Sequence, residues 1–451
     1  MKVLNVNKSW IVDNSNRLDA KPYLSEGRIA SIKVLKSPLG HEKLKDITFD
    51  IFNGPRFKRY YVEDPKKGVA FMGSSDMLKA DLNNLKFISK KYSNNLEKLR
   101  LLEDWILVSC SGTIGNTVYT NADFKDKTAS QHIMRIIPSD VKRAGYLYAY
   151  LSSKYGYNLL TQGTYGAVIQ HIEPHHIEDL PVPILPEEKQ QQIHQLIVDS
   201  ANLRVEANKL LKEAVELMEF QLNDNIVTKC FQHQKISSKS FDYLHKRFDA
   251  QYQVMWKAIK DNYSDIEYKK IGDFAENIFV GNRGKRHYVN EGIPFLSSSD
   301  MMLFNPLRNS KQISKNSPGL ESMKVQKKDI LISRSGTVGN TVIVGDYLNN
   351  VAISEHALRL RIDSKLISPN YVFTYLKTKV GLKAMEASAF GSVIITLNEE
   401  LIADIDLPIL SKDIVQKIDN LIDNYLIKLD SSTDKENQAI NLIENEIDAW
   451  Q

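Results

Sequence analysis

VSCSGTIGNTVYT (Val108–Thr120) and ISRSGTVGNTVIV (Ile332–Val344) are nearly the same sentence, written twice at a separation of 224 residues. In each, two β-branched, apolar runs flank a Ser-Gly-Thr turn, the pattern of a hairpin. Working outward, further matches appear in the same order at nearly the same offset. NRLDAKPYL (Asn16–Leu24) answers KRFDAQYQV (Lys246–Val254), and GPRFKRYYV (Gly54–Val62) answers GNRGKRHYV (Gly281–Val289). GVAFMGSSDML (Gly68–Leu78) answers GIPFLSSSDMM (Gly292–Met302), and ASQHIMRI (Ala129–Ile136) answers ISEHALRL (Ile353–Leu360). GYLYAYLSSK (Gly145–Lys154) pairs with NYVFTYLKTK (Asn370–Lys379), and IEDLPVPIL (Ile177–Leu185) with IADIDLPIL (Ile402–Leu410). The chain is a tandem duplication.

A length of 451 residues calls for two or more cores. Two cysteines cannot make a disulfide framework and point to a reducing compartment. The start of the chain is too polar for a signal peptide, and no apolar run approaches a bilayer span, so a cytoplasmic protein without membrane association is expected. The net charge of +4 conceals an alternation. Residues 1–185 hold 26 Lys and Arg against 19 Asp and Glu, and residues 186–228 hold 4 against 8. Residues 229–410 hold 25 against 19, and residues 411–451 hold 4 against 9. Basic blocks suit a polyanion; the acidic ones do not.

The same four boundaries emerge from the patterning. Each basic block reads as short apolar bursts punctuated by Gly, Asn, Asp and Pro. From Pro186 to about Leu222 there is neither further Pro nor Gly, and Pro186, Glu187 and Glu188 suit a helix start. Leu196, Ser200, Leu203, Ala207, Leu210, Ala214 and Leu217 follow with 4-3 spacing, a coiled-coil seam. Ser411 suits the N-cap of a second helix. There Ile422, Leu426, Leu429, Thr433, Glu436, Ile440, Ile443 and Ile447 keep that spacing. The expectation is an α+β chain: domains at 1–185 and 229–410, helices at 186–228 and 411–451. The helices would pack antiparallel on each other about an approximate twofold axis, as a rod of about 54 Å.

Several stretches invite a chemical reading. The loops Arg56-Phe57-Lys58-Arg59-Tyr60 and Arg283-Gly284-Lys285-Arg286-His287 are basic and flanked by aromatics, suited to phosphates and base edges. Ser-Gly-Thr-Ile-Gly-Asn lacks the Gly-Lys-Ser/Thr ending of a nucleotide loop, so Gly112, Gly115, Gly336 and Gly339 read first as turn formers. The turn also offers Ser111, Thr113, Ser335 and Thr337 to a DNA backbone. Ser74, Ser75 and Asp76, matched by Ser298, Ser299 and Asp300, make either an Asx or Ser turn or a DNA contact. Cys110 with His132 resembles a nucleophile and base, but Arg334 replaces the thiol in the second copy. His132 and His356 read more readily as structural histidines than as DNA contacts. His175, His176 and Glu178 have no counterpart in the second copy, which weighs against a metal site. Gln170 and Ile395, with His171 and Thr396, vary inside a shared frame, as two readers of different sequences would.

The ordered set Arg-Leu-Asp-Ala, Gly-x-Arg-x-Lys-Arg-x-Tyr, Ser-Ser-x-Asp-Met, Ser-Gly-Thr-(Ile/Val)-Gly-Asn and Leu-Pro-x-Pro, then a Gln- and Glu-rich helix, resembles the specificity (S) subunits of type I restriction-modification systems. The resemblance covers both copies. It implies two mixed α/β target recognition domains separated by two long antiparallel coiled-coil helices. Each domain would read one part of a bipartite site in double-stranded DNA, and the helices would dock two modification (methyltransferase) subunits. It implies no catalysis and no cofactor in this chain. S-adenosylmethionine, ATP and magnesium would be bound by the modification and the restriction/translocase subunits. PEEKQQQIHQLI in the first helix has drifted to SKDIVQKIDNLI in the second, which bears on equal docking at the two. The sequence accordingly lacks Asn-Pro-Pro-Tyr, Asp-Pro-Pro-Tyr and Phe-x-Gly-x-Gly, the signatures of adenine methylation, and a Pro-Asp…Glu-x-Lys nuclease core. The competing readings are a stand-alone nuclease or hydrolase with duplicated Ser/His loops, and a coiled-coil scaffold.

Overall fold

The computed structural model describes residues 25–162, 171–222, 266–391 and 395–450, with Val6, Lys8, Ile11, Tyr23 and Gln253. Gln170, most of the Asn16–Leu24 and Lys246–Val254 motifs, and residues 223–228 of the first helical block lie outside the described residues. Two compact units are formed: Met1–Val205 with Ser431–Gln451, and Glu206–Asp430.

In the first unit, helix α1 (Glu26–Val34) starts at Ser25, whose hydroxyl accepts from the Arg28 N–H. The strands follow as β1 (His41–Lys43), β2 (Thr48–Asn53), β3 (Tyr61–Val62), β4 (Gly68–Met72) and β5 (Lys86–Ser89). Then come β6 (Ile106–Ser109), β7 (Thr117–Tyr119), β8 (Thr128–Ala129), β9 (Ile133–Pro138) and β10 (Pro181–Pro183). They assemble as β2-β9-β6-β7, as β3-β5-β4-β8 and as the pair β1-β10. The Ser-Gly-Thr stretch is the expected hairpin, with Ile106 opposite Tyr119 and Val108 opposite Thr117. Helices α2 (Val141–Ser152) and α3 (Lys154–Gln162) cover the first sheet, so Ile106, Val108, Met134 and Ile136 share a core with Tyr146, Leu147 and Tyr150.

The second unit repeats this in strands β11 (Tyr268–Lys270), β12 (Ala275–Val280), β13 (Tyr288–Val289), β14 (Ile293–Leu296) and β15 (Lys311–Ile313). They continue as β16 (Ile330–Ser333), β17 (Thr341–Ile343), β18 (Ala352–Ile353), β19 (Ala357–Ile362) and β20 (Asp406–Pro408). The orders are β12-β19-β16-β17, β13-β15-β14-β18 and β11-β20, the same topology strand for strand. Even the irregularities recur: the register slips between Thr48 and Asp50 against β9, and between Ala275 and Asn277 against β19. Left-handed backbone recurs as well, at Asn95 and Gly319, Asp104 and Lys328, Gly112 and Gly336, Gly115 and Gly339, and Asp126 and Asn350. The Ser-Gly-Thr glycines are therefore turn formers. At Gly115 the demand is double, since a Cβ would also stand 2.6 Å from Thr161 Cγ2.

Helix α4 runs Glu187–Leu222; past α5 (Pro369–Lys377) and α6 (Lys379–Ser388), helix α7 runs Lys412–Ala449. In the first unit their parts are antiparallel: Lys189 pairs with Glu446, Asp199 with Lys435 (3.1 Å), and the Ser200 hydroxyl donates to the Ser432 carbonyl (2.7 Å). In the second unit Glu206 pairs with Lys428, and Ala207, Leu211, Ala214 and Met218 share a core with Ile418, Ile422 and Leu426. The α7 seam is nearly as read, with Ile422, Leu426, Thr433, Glu436, Ile440, Ile443 and Ile447 buried and Leu429 half-buried. The α4 seam needs correction. Ser200, Ala207 and Ala214 are buried as read, but Leu196, Leu203, Leu210 and Leu217 are only half-buried, and Ile193, Ile197, Ala201, Leu211 and Met218, outside the seam, are buried. The helix packs on its domain as well as on α7, so its buried stripe is wider than a two-residue seam and centred elsewhere.

Candidate nucleic-acid interface

In each unit, segments far apart in sequence are bolted to one loop, Ser130-Gln131-His132 or Ser354-Glu355-His356. The Ser130 N–H donates to the Met72 carbonyl (3.0 Å), at the edge of the Ser-Ser-Asp turn, and the Cys110 N–H donates to the His132 carbonyl (3.0 Å), at the start of Ser-Gly-Thr. The second unit repeats both bonds, Ser354 N–H to Leu296 (2.9 Å) and Arg334 N–H to His356 (3.0 Å). His171 then bridges to Ser111, and Thr396 to Ser335. The basic loops join them through Arg59, which donates to Gln131 Oε1 (3.1 Å), and through Arg286, which is ion-paired with Glu355. Both guanidinium groups lie over an aromatic ring, Arg59 over Phe71 (5.2 Å) and Arg286 over Phe295 (4.6 Å).

Beneath each loop sits a fully buried arginine. Arg135 donates to the carbonyls of Ser130 (3.0 Å), Ile133 (2.5 Å) and Ala129 (2.6 Å), and Arg359 to those of Met323 (2.7 Å) and Ile353 (2.6 Å). Desolvation pulls both guanidinium groups down to about 10, still cationic at neutral pH. Gly54 and Gly281 open the basic loops against these arginines, where a Cβ would stand 2.8 Å from Nη1 of Arg135 or Arg359. That contact is the physical reason each Gly-x-Arg-x-Lys-Arg loop begins with glycine.

Arg56, Lys58, Arg59 and Tyr60 are exposed, as are Arg283 and Lys285, whereas Arg286 is half-buried by its ion pair. Thr113 and Thr337 stand exposed at the turn tips, with Ser111 and Ser335 half-buried at their bases. Ser75 and Ser299 are exposed, and Ser74 and Ser298 half-buried. Asp76 and Asp300 instead close their turns, accepting from the N–H groups of Gly73 (2.9 Å) and Ser297 (2.8 Å). Thus Arg59, the strand end before the Ser-Ser-Asp turn and the start of the Ser-Gly-Thr turn meet at the Ser130–His132 loop, and their counterparts meet at the Ser354–His356 loop.

Cys110 and His132 do not form a nucleophile and base. Cys110 is buried, and desolvation first, then the nearby Glu173 carboxylate, pushes its thiol up to about 12, which disqualifies it as a nucleophile at neutral pH. His132 is half-buried with its ring Nε2 3.0 Å from Gln131 Nε2, and His356 is 53% exposed. Burial first, then the charges of Arg59, His171 and Arg56, holds His132 below the usual imidazole range, so it is neutral at pH 7. Gln131, Glu355 and the two buried arginines were not singled out in the sequence. The recurrent arginine, and the Gln-to-Glu change four residues before it, in ASQHIMRI and ISEHALRL were the available signal.

The structure thus repeats one mixed α/β domain, each copy tying a basic loop and hydroxyl-bearing turns to one loop cluster. The type I restriction modification DNA specificity domain matches twice, over residues 40–217 and 263–445, and the chain belongs to that family of non-catalytic, sequence-recognising subunits. Among curated proteins it is similar to the type I restriction enzyme EcoBI specificity subunit of Escherichia coli, 20% identical over 409 residues, covering 89% of this chain and 82% of that protein. Among solved structures, it matches the type I restriction-modification S subunit from M. genitalium at 15% identity and TM-score 0.33, over 90% of this chain and 94% of that one. The HsdS subunit from Thermoanaerobacter tengcongensis matches at 14% identity and TM-score 0.27, over 90% and 95%. Among the described residues no helix is long and apolar enough to cross a membrane.

Proposed function

We propose that this chain is the DNA-reading subunit of a type I restriction-modification complex, each domain recognising one part of a bipartite site in double-stranded DNA. The observation that carries this reading is the pair of loop clusters, one frame drawn twice with different side chains at a few exposed positions. Arg56, Lys58, Arg59, Arg283 and Lys285 hold the phosphates and Tyr60 lies beside them. The hydroxyls of Ser74, Ser75, Ser111, Thr113, Ser298, Ser299, Ser335 and Thr337 fix the register on the backbone. The acidic faces of α4 and α7 repel phosphate and dock two modification subunits, and the paired helices set the gap between the half-sites. Methyl transfer from S-adenosylmethionine belongs to those subunits, and ATP- and magnesium-dependent steps to restriction/translocase subunits.

The purified chain is expected to bind duplex DNA with strong salt dependence and to transfer no methyl group until a modification subunit is added. Each phosphate that a side chain neutralises adds about 0.9 to the slope of log K against log salt, so replacing Arg56, Lys58 or Lys285 by Gln should lower that slope by about this amount. Methyl transfer by the chain alone, or an unchanged slope in all three variants, would contradict the assignment.

A further inference from the structure

The two clusters differ at Cys110/Arg334, at His171/Thr396 and at the side chain that the loop arginine meets. Ser130 and Ser354, His132 and His356, Arg59 and Arg286, Phe71 and Phe295, and the buried Arg135 and Arg359 are alike in the two copies. Between them, the side chain that meets the loop arginine changes from neutral Gln131 to anionic Glu355. A carboxylate is the least expected substitution on a surface that meets phosphates, since it repels them and compensates the charge of Arg286. Its side chain is only 12% exposed, so it is a fixed group rather than a mobile one.

We propose that position 131/355 is a specificity-determining residue, and that Glu355 reads a base presenting an amino group, cytosine through N4, in the half-site of the second domain. This inference rests on the DNA-reading function proposed above. One oxygen of Glu355 is taken by Arg286, while the other, Oε1, stands 3.7 Å from the exposed His356 ring. An ionised carboxylate only accepts hydrogen bonds. Cytosine shows only a donor on its major-groove edge, whereas guanine shows N7 and O6, which a carboxylate repels. In the first domain Gln131 is held between Arg59 and the His132 ring (3.0 Å) and leaves the Arg59 charge uncompensated, so the guanidinium remains as the donor that favours guanine. The change from Gln131 to Glu355 thus reverses the polarity offered beside the loop arginine, while the backbone frame stays fixed.

The test is selection of bound sequences from a randomised duplex library by the full-length chain, comparing the parent with Glu355→Gln, Gln131→Glu and Arg286→Gln. Glu355→Gln should relax or switch one base pair, in one half of the selected site, with discrimination there falling on the order of ten- to a hundred-fold. Gln131→Glu should alter one base pair in the other half. If Glu355 only braces Arg286, then Glu355→Gln and Arg286→Gln will weaken all sequences alike and leave the selected site unchanged, which overturns the proposal. A variant that no longer folds would show a lowered Tm, and Glu355→Asp, which keeps a carboxylate acceptor, must then retain the parental base. A different base selected by that variant also overturns the proposal. A parent chain that binds DNA but enriches no sequence at all removes the function itself, and this inference with it.

Discussion

At the scale of single residues, Arg135 and Arg359 show how a polar group can organise a loop from below. A guanidinium carries five donors in a rigid fork, so one side chain can hold several backbone carbonyls at once. Each arginine also lies near a phenylalanine, Arg135 5.9 Å from the Phe52 ring and Arg359 5.7 Å from Phe279. Lysine offers the charge without the fork, and alanine removes the donor to the carbonyls of Ser130, Ile133 and Ala129, of which Ser130 keeps the Ile133 N–H (3.2 Å). Arg135→Lys is therefore expected to destabilise the first unit by about 2 kcal/mol, and Arg135→Ala by about 3–5 kcal/mol. Denaturant unfolding measures both, and equal, negligible losses would show that the arginine is dispensable. The arginines were visible in the sequence as repeated letters. Their burial was not, because an arginine in a basic block reads as a surface charge until its carbonyl partners are known.

At the scale of elements, the contact between α4 and α7 in the first unit contains a buried ion pair. Arg204 donates to Glu436 at 2.9 Å, Glu436 is 1% exposed, and the Tyr148 hydroxyl donates to its other oxygen. Its role is register: an apolar seam tolerates sliding, whereas a buried charge has one acceptable partner. Arg204→Met leaves Glu436 buried and uncompensated, for an expected loss of about 3–5 kcal/mol, and the double variant with Glu436→Leu should recover most of it. A double variant no better than the single would exclude coupling. Position 436 was legible as part of the 4-3 spacing; that a charge should be kept there was not, since Arg204 lies 232 residues away in sequence. The same packing makes a pH sensor of His194. The Gly145 N–H donates to its Nδ1 (3.1 Å), which requires the neutral ring, and burial lowers its pKa below the ordinary 6.5. The unfolded chain then binds the proton more readily, so this stability is complete above about pH 6.5 and is lost as pH falls through the folded pKa. Between pH 7.5 and 5.5 the parent should lose more Tm than His194→Gln; equal losses would remove His194 from the account.

At the scale of the whole molecule, duplication was the most legible feature, because the repeat fixes an offset that strands, bulges and left-handed turns all obey. The hairpin and the two helix spans follow from local pattern. The α4 seam shifted because a helix facing both a partner helix and a domain buries more than a heptad pattern shows. The site was half legible: basic loops and turn hydroxyls stand out by composition, whereas Gln131 and Glu355 acquire meaning only when Arg59 and Arg286 are seen to reach them. The central claim is that each half reads its own part of the DNA site. Its most direct test is to map methylated adenines in cells carrying the cognate modification subunit and either this chain or one whose residues 229–410 come from another specificity subunit. The account predicts a motif in which one half changes and the other is kept base for base. A motif altered in both halves would contradict it, as would one altered in neither.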